Sequence, residues 1–261
     1  MPKKYIMNMV IVSNEAIHHN YSLLKLRPNG GEALPEILPG QFVQVKIDNS
    51  PSTFLRRPIS VNYVDYSSNE LWLLVRRAGE GTAHLMEAAA GSVIDVLLPL
   101  GRGFSMPSEA VDGRTYLLVG GGVGVAPLLY FGSCMKKAGI EPEFLLAARS
   151  KDDLLQLDEF KSLGRVYIST DDGSMGEHGL ITQNSVLDRG DIAAIYCCGP
   201  MPMMKAVAAK ARSIGAECEV SLENVMACGL GACLCCVEKT VKGNVCVCTE
   251  GPVFNINQLT W

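Results

Sequence analysis

The chain has 261 residues and a formal net charge of −4 at pH 7, with 48% hydrophobic and 19% charged residues. Its length accommodates two domains and a small appendage, and it lacks the basic stripe of a nucleic-acid-binding protein. Ten cysteines without a secretory signal predict a reducing, cytoplasmic compartment. Residues 115–135 carry no charge and have the length of a membrane span, but the glycines at their centre favour a strand, a turn and a helix.

The first hundred residues contain six short segments of β type, separated by clusters of Pro, Gly, Asn and Ser. Segments of this length and spacing are typical of an antiparallel barrel. We expect strands at residues 5–13, 21–27, 41–47, 58–64, 71–77 and 93–98, and one short helix at residues 82–90 that Gly91 ends.

The pattern changes near residue 115, where strands and helices begin to alternate. Residues 116–119 form a continuous apolar run, which is typical of a strand buried on both faces. Further strands are predicted at 144–148, 166–169 and 192–197, with helices at 126–137, 152–162, 181–187 and 202–214. This alternation indicates a doubly wound parallel sheet, so we predict domains at residues 1–110 and 111–215 and a small lobe at residues 216–261.

Two motifs of the barrel region suggest a phosphate-bearing cofactor. Arg57-Pro58-Ile59-Ser60 begins a strand, where an arginine can hold a diphosphate and a serine can hydrogen-bond a flavin ring. Gly79-Glu80-Gly81-Thr82 opens the helix, whose N-terminus offers backbone N–H groups to a phosphate. Alternatively, the first motif is an edge strand that starts with proline, and the second is an ordinary glycine turn with Thr82 as the N-cap.

Two motifs of the α/β region suggest a nucleotide. Gly120-Gly121-Gly122-Val123-Gly124 joins a buried strand to a helix, which is the setting that a dinucleotide-binding motif requires. Its spacing is not G-x-G-x-x-G, and no acidic residue about twenty positions later clearly marks a ribose. Cys198-Gly199-Pro200 ends a later strand at the carboxyl edge of the sheet, where open α/β sheets bind ligands. Alone, Cys198 is better explained as a buried small hydrophobe.

Residues 223–254 hold six of the ten cysteines. Cys228, Cys233 and Cys236 have the C-x4-C-x2-C spacing of plant-type [2Fe-2S] ligation, and Cys248 follows eleven residues after the third as a fourth ligand. Glycines at 229 and 231 suit a chain that wraps closely around an inorganic cluster.

The same cysteines could instead bind zinc or serve as plain buried thiols. Zinc also takes four cysteines, but its sites favour paired C-x2-C knuckles, and the second pair here would have to be Cys246 and Cys248. Disulfides fit poorly, because no secretory signal accompanies the thiols. Cys235 and Cys246 are spare and could replace a neighbour as ligand. The four histidines are scattered, and no spacing among them suggests a metal site or a catalytic triad.

The order of these motifs resembles the ferredoxin–NADP reductase superfamily, in which a flavin barrel precedes a nicotinamide domain. Residues 226–233 and 248–254 are similar to the electron-transfer subunits of dihydroorotate dehydrogenase B, a family within it. The resemblance covers essentially the whole chain. It departs from the family in Glu80, which stands where lysine is frequent, and in the additional thiol of Cys235.

The resemblance implies cofactor-binding roles for particular residues. It places FAD on the barrel and NAD, as co-substrate, on the glycine turn and the C-G-P segment. It also prefers Cys248 to Cys246 as the fourth cluster ligand, because Cys248 stands three residues before Gly251-Pro252. The implied FAD residues are Arg57, Pro58, Ile59, Ser60, Leu74, Val75, Arg76, Gly81 and Thr82; the NAD residues are Gly120, Gly121, Gly122, Gly124, Cys198, Gly199 and Pro200; the cluster ligands are Cys228, Cys233, Cys236 and Cys248.

The function that the resemblance implies is electron transfer between NAD(H) and a catalytic subunit that contains FMN and oxidises dihydroorotate in pyrimidine biosynthesis. The expected assembly is a heterotetramer with two copies of each subunit, and no acid–base residue is predicted. One alternative is a reductase subunit that serves another acceptor, in a sulfide- or ferredoxin-linked complex. The other is a zinc-stabilised binding module without electron chemistry.

Overall fold

The computed structural model describes residues 3–48, 50, 52–108 and 113–261. Six antiparallel strands close into a barrel in the order β1, β2, β5, β4, β3, β6, which confirms the predicted barrel. The strands are β1 (Tyr5–His18), β2 (Tyr21–Pro28), β3 (Phe42–Val45), β4 (Arg57–Asp65), β5 (Glu70–Arg76) and β6 (Val93–Leu100), with helix α1 (Glu80–Met86) between β5 and β6.

Helix α1 is shorter than the segment predicted for it and begins two residues earlier. Its C-terminal carbonyls lack partners within the helix, as in every α-helix. The Asn14 side chain supplies a partner at this end of the helix. Its Nδ2 donates to the carbonyls of Leu85 and Met86 at 3.3 and 3.0 Å, and to that of Ala88 just beyond the helix at 2.8 Å. Strand β1 is longer than predicted because it continues through two irregularities of register to His18.

Six parallel strands build the second sheet, and their neighbours follow the order β10, β9, β8, β7, β11, β12. This arrangement confirms the doubly wound parallel sheet. The strands are β7 (Thr115–Gly121), β8 (Pro142–Ala148), β9 (Arg165–Thr170), β10 (Glu177–His178), β11 (Ile192–Cys198) and β12 (Glu217–Ser221); the helices are α2 (Ala126–Lys137), α3 (Leu157–Leu163) and α4 (Met201–Ile214).

The uncharged segment 115–135 forms strand β7, a 3-10 turn and helix α2, as predicted. Phe131 on α2 is fully buried, and its ring stacks on Phe104 at 4.9 Å and meets Tyr196 edge-on at 4.7 Å. None of the helices in the described part of the chain is long and apolar enough to cross a membrane.

Two predicted helices differ from the structure. The segment 152–162 is broken, because Leu154 is extended and Gln156 adopts a left-handed backbone with φ of 53° before α3 begins. Only a 3-10 turn, Lys151–Asp153, precedes the break. The segment 181–187 forms two 3-10 turns, Ile181–Gln183 and Ser185–Asp188, in place of a helix.

The C-terminal segment contributes elements that the sequence did not predict. Strands β13 (Val237–Thr240) and β14 (Gly243–Cys246) form a hairpin, and the short helix α5 (Val247–Glu250) follows it. The chain then enters β15 (Val253–Asn255), which pairs antiparallel with β12 and becomes the seventh strand of the sheet.

The chain divides into two compact units. The first contains the barrel together with Asn224–Glu238 and Asn244–Pro252; the second contains the parallel sheet together with Lys239–Gly243 and Val253–Trp261. Most of the cysteine stretch therefore belongs to the barrel unit. The predicted boundary between residues 110 and 111 lies outside the described residues, and the boundary at 215 stays a prediction.

Candidate functional site

Residues 224–236 form a loop without regular secondary structure that carries most of the candidate cluster ligands. The loop contains three left-handed backbone positions, at Gly229 (φ 68°), Gly231 (φ 79°) and Leu234 (φ 58°). Glycine adopts this conformation at little cost, whereas Leu234 does so against its preference. The loop is therefore folded tightly, as the spacing of its glycines predicted.

Backbone N–H groups of this segment point at cysteine sulfurs. Leu230 donates to Cys228 Sγ at 3.3 Å, Gly231 donates to Cys248 Sγ at 3.2 Å, and the N–H of Cys248 donates to Cys236 Sγ at 3.4 Å. Thiolate ligands of iron–sulfur clusters accept such bonds, which help to set the reduction potential. The donor set therefore fits an iron–sulfur cluster.

The pKa values of Cys228 and Cys248 are shifted in opposite directions. Desolvation alone would raise the pKa of Cys228, but hydrogen bonds from Leu230, Cys233 and Ala232 lower it to about 6. Burial and a hydrogen bond with Cys236 raise the pKa of Cys248 to about 12. Cys228 is thus prepared as a thiolate, whereas Cys248 loses its proton to a base only when a metal centre binds the sulfur and stabilises the thiolate.

The spare thiols match two of the candidate ligands in exposure, since Cys228 is partly exposed like Cys246 and Cys233 is exposed like Cys235. Cys246 is partly exposed and its Sγ lies 3.9 Å from the Gly231 carbonyl, while Cys236 and Cys248 are buried. Cys235 is exposed and its Sγ approaches the carbonyl of Val225 at 3.6 Å. Within the described residues, no three His, Cys, Asp or Glu side chains converge as they would around a single metal ion.

The two predicted flavin motifs meet in the barrel unit. A Cβ atom added to Gly81 would lie 2.6 Å from Nε of Arg57 and 3.1 Å from Cγ2 of Thr53. The absence of a side chain at 81 therefore lets the guanidinium lie against the first turn of α1. An arginine beside backbone N–H groups at a helix start is a suitable environment for a phosphate.

Thr82 has a structural role that differs from the predicted N-cap. The N-cap is Gly79, and Thr82 is the third residue of α1. Its hydroxyl accepts the N–H groups of Ala78 and Gly79 at 2.8 and 3.1 Å and donates to the Gly79 carbonyl at 3.0 Å. Thr82 therefore fixes the turn whose N–H groups are the candidate phosphate donors.

The other flavin-segment residues follow the strands as predicted. Pro58, Ile59 and Ser60 lie on β4 opposite β3, where Ser60 pairs with Phe42 and Pro58 with Gln44. Leu74, Val75 and Arg76 end β5; the two apolar side chains are buried, and Arg76 is exposed. Arg76 thus adds a second accessible positive charge to the barrel unit.

The glycine turn and the C-G-P segment are brought together in the sheet unit. Strands β7 and β11 are neighbours, and Cys198 pairs with Gly120. A Cβ atom on Gly124 would lie 2.5 Å from the carbonyl oxygen of Cys198 and 2.6 Å from Cα of Gly199. Only glycine fits here. The helices on either side of these two strands run to opposite faces in folds of this kind, so ligands bind at this edge of the sheet.

The remaining glycines of the motif are held by the same neighbours. Gly121 and Gly199 both lie against the Met203 side chain, with Cβ positions 2.5 Å from its Sδ and 2.6 Å from its Cε. Gly122 has φ of 56°, which lets the chain turn into α2. Pro200 is the N-cap of α4. Met203 therefore packs against both glycines.

Glu223 is a charged neighbour of the C-G-P segment that no motif in the sequence marks. Its Oε1 lies 4.0 Å from Cys198 Sγ. Burial raises the pKa of Cys198 well above its ordinary value, and the carboxylate of Glu223 adds to the rise. Cys198 is therefore a neutral thiol in this setting, and no local spacing in the sequence joins residues 198 and 223.

Comparison with known proteins places the chain in a family. A family model described as the iron-sulfur cluster binding domain of dihydroorotate dehydrogenase B matches residues 223–260, and an oxidoreductase NAD-binding domain model matches residues 118–209. The dihydroorotate dehydrogenase B (NAD(+)) electron transfer subunit of Fusobacterium nucleatum is 41% identical over 83% of this chain and 84% of its own. The chain belongs to this family of electron transfer subunits. The subunit of Bacillus cereus strain Q1 is 37% identical over 97% of both chains.

Solved structures agree on the fold. A structure titled for flavin-based electron bifurcation by NADH-dependent reduced ferredoxin-NADP oxidoreductase superposes with a TM-score of 0.83 and 30% identity, over 97% of this chain and 90% of that one. Phthalate dioxygenase reductase, described as transferring electrons from pyridine nucleotides to [2Fe-2S], has a TM-score of 0.61 and 23% identity over 78% of this chain and 64% of its own. The barrel and the parallel sheet are thus an architecture shared with flavin reductases.

Proposed function

We propose that the chain is the electron-transfer subunit of a dihydroorotate dehydrogenase B and passes electrons between NAD(H) and a catalytic partner through FAD and a [2Fe-2S] cluster. The observation that carries the proposal is a set of three backbone N–H groups, two from the cysteine loop and one from Cys248, that donate to cysteine sulfurs. These groups belong to the same compact unit as the Arg57–Gly81 pair. When bound, FAD converts a two-electron hydride into single electrons that a [2Fe-2S] cluster can carry.

The barrel residues hold FAD in this proposal. Arg57 and Arg76 neutralise its diphosphate, and the start of α1 at Gly81 supplies N–H groups that Thr82 fixes in place. Pro58, Ile59 and Ser60 border the flavin ring from β4, and the backbone of Leu74 and Val75 borders it from β5.

The sheet residues hold NAD. The turn formed by Gly120, Gly121, Gly122 and Gly124 leaves room for the dinucleotide backbone at the start of α2, and Cys198, Gly199 and Pro200 border the nicotinamide. The buried Cys198 thiol stays protonated, so it orients the ring without exchanging a proton.

The cluster ligands are Cys228, Cys233, Cys236 and Cys248 in this proposal. We keep Cys248 as the fourth ligand because its sulfur is buried and accepts a backbone N–H, whereas Cys246 is partly exposed. Each proposed domain binds one cofactor: residues 1–110 bind FAD, residues 111–215 bind NAD and residues 216–261 bind the cluster.

The partner is a catalytic subunit that contains FMN and oxidises dihydroorotate to orotate in pyrimidine biosynthesis, in a heterotetramer of two copies of each chain. The relatives of this chain are named electron transfer subunits, a name that implies such a partner. The ten free cysteines support a reducing, cytoplasmic location.

Co-purification with the neighbouring catalytic subunit tests this function. The expected product is a complex that contains flavin, iron and acid-labile sulfide and reduces NAD with dihydroorotate as electron donor. An anaerobically purified protein without flavin or iron–sulfur absorption would remove the proposal. Zinc without iron or sulfide would favour the zinc-stabilised binding module instead.

A second candidate function is a flavin and iron–sulfur reductase subunit of a ferredoxin-linked complex. The observation that favours it is the TM-score of 0.83 with the structure titled for ferredoxin-NADP oxidoreductase. The same complex distinguishes the two: NADH-dependent reduction of ferredoxin, with no turnover of dihydroorotate, would establish the second.

A further inference from the structure

Gln44 is a buried polar residue without a partner in the barrel unit. It lies on β3, and its side chain is 0% exposed. Neither its Nε2 nor its Oε1 has a hydrogen-bond partner among the described residues. Buried amides almost always have partners, because an unpaired one has lost its water and gained nothing in return. The position therefore leaves a buried donor and a buried acceptor available to a bound group.

A second buried glutamine of the barrel, in contrast, has both polar atoms of its amide hydrogen-bonded. Gln41 is 1% exposed, and both of its polar atoms are paired. Its Oε1 accepts the N–H of Leu38 at 2.7 Å, and its Nε2 donates to the carbonyl of Gly101 at 2.8 Å. The unpaired state of Gln44 is thus a property of its position rather than of buried glutamines in this barrel.

The Gln44 side chain lies against the cysteine loop. A Cβ atom on Gly229 would be 3.0 Å from Cγ and 3.2 Å from Nε2 of Gln44. Gly229 directly follows Cys228 and precedes Leu230, whose N–H donates to Cys228 Sγ. The amide nitrogen is therefore placed beneath the first turn of the loop that binds the cluster.

The chemistry of the loop determines what such an amide can meet. The nearby backbone N–H groups already donate to the sulfurs of Cys228, Cys236 and Cys248. The acceptors that a bound cluster adds are sulfurs, which carry more negative charge in the reduced state. A donor near them stabilises that state and raises the reduction potential.

We propose that the Gln44 carboxamide donates a hydrogen bond to a sulfur of the iron–sulfur cluster and raises the reduction potential of the cluster. Gln44 is a positioning residue in this role, since it acts on the potential and exchanges neither electrons nor protons. The inference rests on the proposed function, because it requires the cluster to be bound.

The test is a redox titration of the purified holoprotein, followed by electron paramagnetic resonance of the reduced cluster. Gln44→Met keeps the volume of the side chain and removes the donor. The expected result is a shift of about tenfold in the equilibrium between the two cluster states toward the oxidised form, which lowers the midpoint potential by about 59 mV for a one-electron couple. Gln44→Leu also removes the donor, so it should lower the potential to a similar extent.

Gln41→Met is the matched control. It removes a paired amide of similar burial, so it should lower the unfolding temperature and leave the cluster potential unchanged. Gln44→Met removes no bond within the protein and should retain the unfolding temperature of the cluster-free protein.

Three results would overturn the inference. One is an unchanged cluster potential in both Gln44 variants at wild-type iron content. Another is a change in the flavin potential alone. The third is a wild-type protein without iron and sulfide, which would remove the proposed function as well; the first two leave that function intact.

Discussion

Cys246 and Cys248 show how two thiols that are close in sequence can differ in burial and hydrogen bonding. They are separated by one residue, and either could complete the C-x4-C-x2-C set. Cys248 is buried at the start of α5, with its sulfur facing the Gly231 N–H, whereas Cys246 ends β14 and is partly exposed. The structure thus distinguishes the surroundings of two thiols between which the sequence chose only by resemblance.

Replacing each of these cysteines by serine gives opposite expected outcomes. Cys248→Ser should abolish cluster binding, because a ligand sulfur that accepts a backbone N–H is lost. Cys246→Ser should keep wild-type iron and acid-labile sulfide content and absorption. The measurements are iron and sulfide analysis of anaerobically purified protein. A cluster that survives Cys248→Ser but not Cys246→Ser would reverse the assignment.

Adding one methyl group at Gly124 tests whether the glycine turn binds the nucleotide. In Gly124→Ala, the new Cβ would lie 2.5 Å from the Cys198 carbonyl oxygen, so the glycine turn and the C-G-P segment must separate. We expect the Kd for NADH to rise on the order of 10- to 100-fold.

Gly190→Ala is the control for this measurement, because nothing lies within 4 Å of its Cβ position. Titration of flavin or nucleotide fluorescence measures both variants. An NADH affinity in Gly124→Ala equal to that of Gly190→Ala would place the dinucleotide away from the turn.

At the scale of elements, the sequence predicted best where periodicity and glycine positions agreed. Helix α2 has the predicted bounds of residues 126–137, because the turn at 122–125 and the residues after Lys137 mark its ends clearly. The helix predicted at 152–162 failed at Gln156, whose left-handed backbone no local pattern of residues indicates.

Long-range pairing was beyond the reach of the sequence. Strand β15 pairs with β12 although it follows that strand by about thirty residues along the chain. The three residues of β15 carry no distinct strand pattern. Gln44 was missed for a related reason. No local pattern marks it as a neighbour of the cysteine loop, which lies far along the chain and packs against its side chain at Gly229.

The loop after β9 bears on the choice between NAD and NADP. The N–H of Asp171 donates to the Ala148 carbonyl at the end of β8, and the N–H of Asp172 donates to the Arg149 carbonyl, both at 3.1 Å. The hydroxyl of Ser174 lowers the pKa of Asp172 and keeps it ionised. Two negative charges thus accompany the carboxyl end of the second strand, where dinucleotide folds bind the ribose.

We therefore expect NADH to be preferred over NADPH. Asp171→Asn should raise kcat/KM for NADPH about two- to fivefold, because one repulsive charge is removed from the 2′-phosphate. Asp158→Asn on α3 makes the same change of charge at a 97% exposed side chain and should have no effect. A wild-type enzyme that uses NADPH as well as NADH would contradict this prediction.

At the scale of the whole molecule, the cysteine stretch contributes several exposed apolar side chains to the surface. Val225, Leu230 and Leu234 are 79, 47 and 65% exposed. Exposed apolar side chains beside the proposed cluster ligands suit contact with a protein partner, since such surfaces lose water when the partner binds.

Leu234→Glu should prevent co-purification with the catalytic subunit and retain the iron–sulfur absorption spectrum. Leu180→Glu is the control, because Leu180 has a similar exposure of 64% in the sheet unit. Pull-down with the tagged catalytic subunit measures both variants. Retention of the partner by Leu234→Glu would place the contact elsewhere.

The return of the chain through β15 has a consequence for engineering and for biosynthesis. Deleting everything after residue 222 would expose the hydrogen-bonding edge of β12 and also uncover Gln44 and Leu100 on the barrel. The iron–sulfur segment is therefore not a detachable cassette that can be removed to leave a minimal flavin reductase. On the ribosome, Gln44 and Leu100 stay uncovered until Gly229 has been made, and a cluster that needs Cys248 is inserted only after that residue has been made.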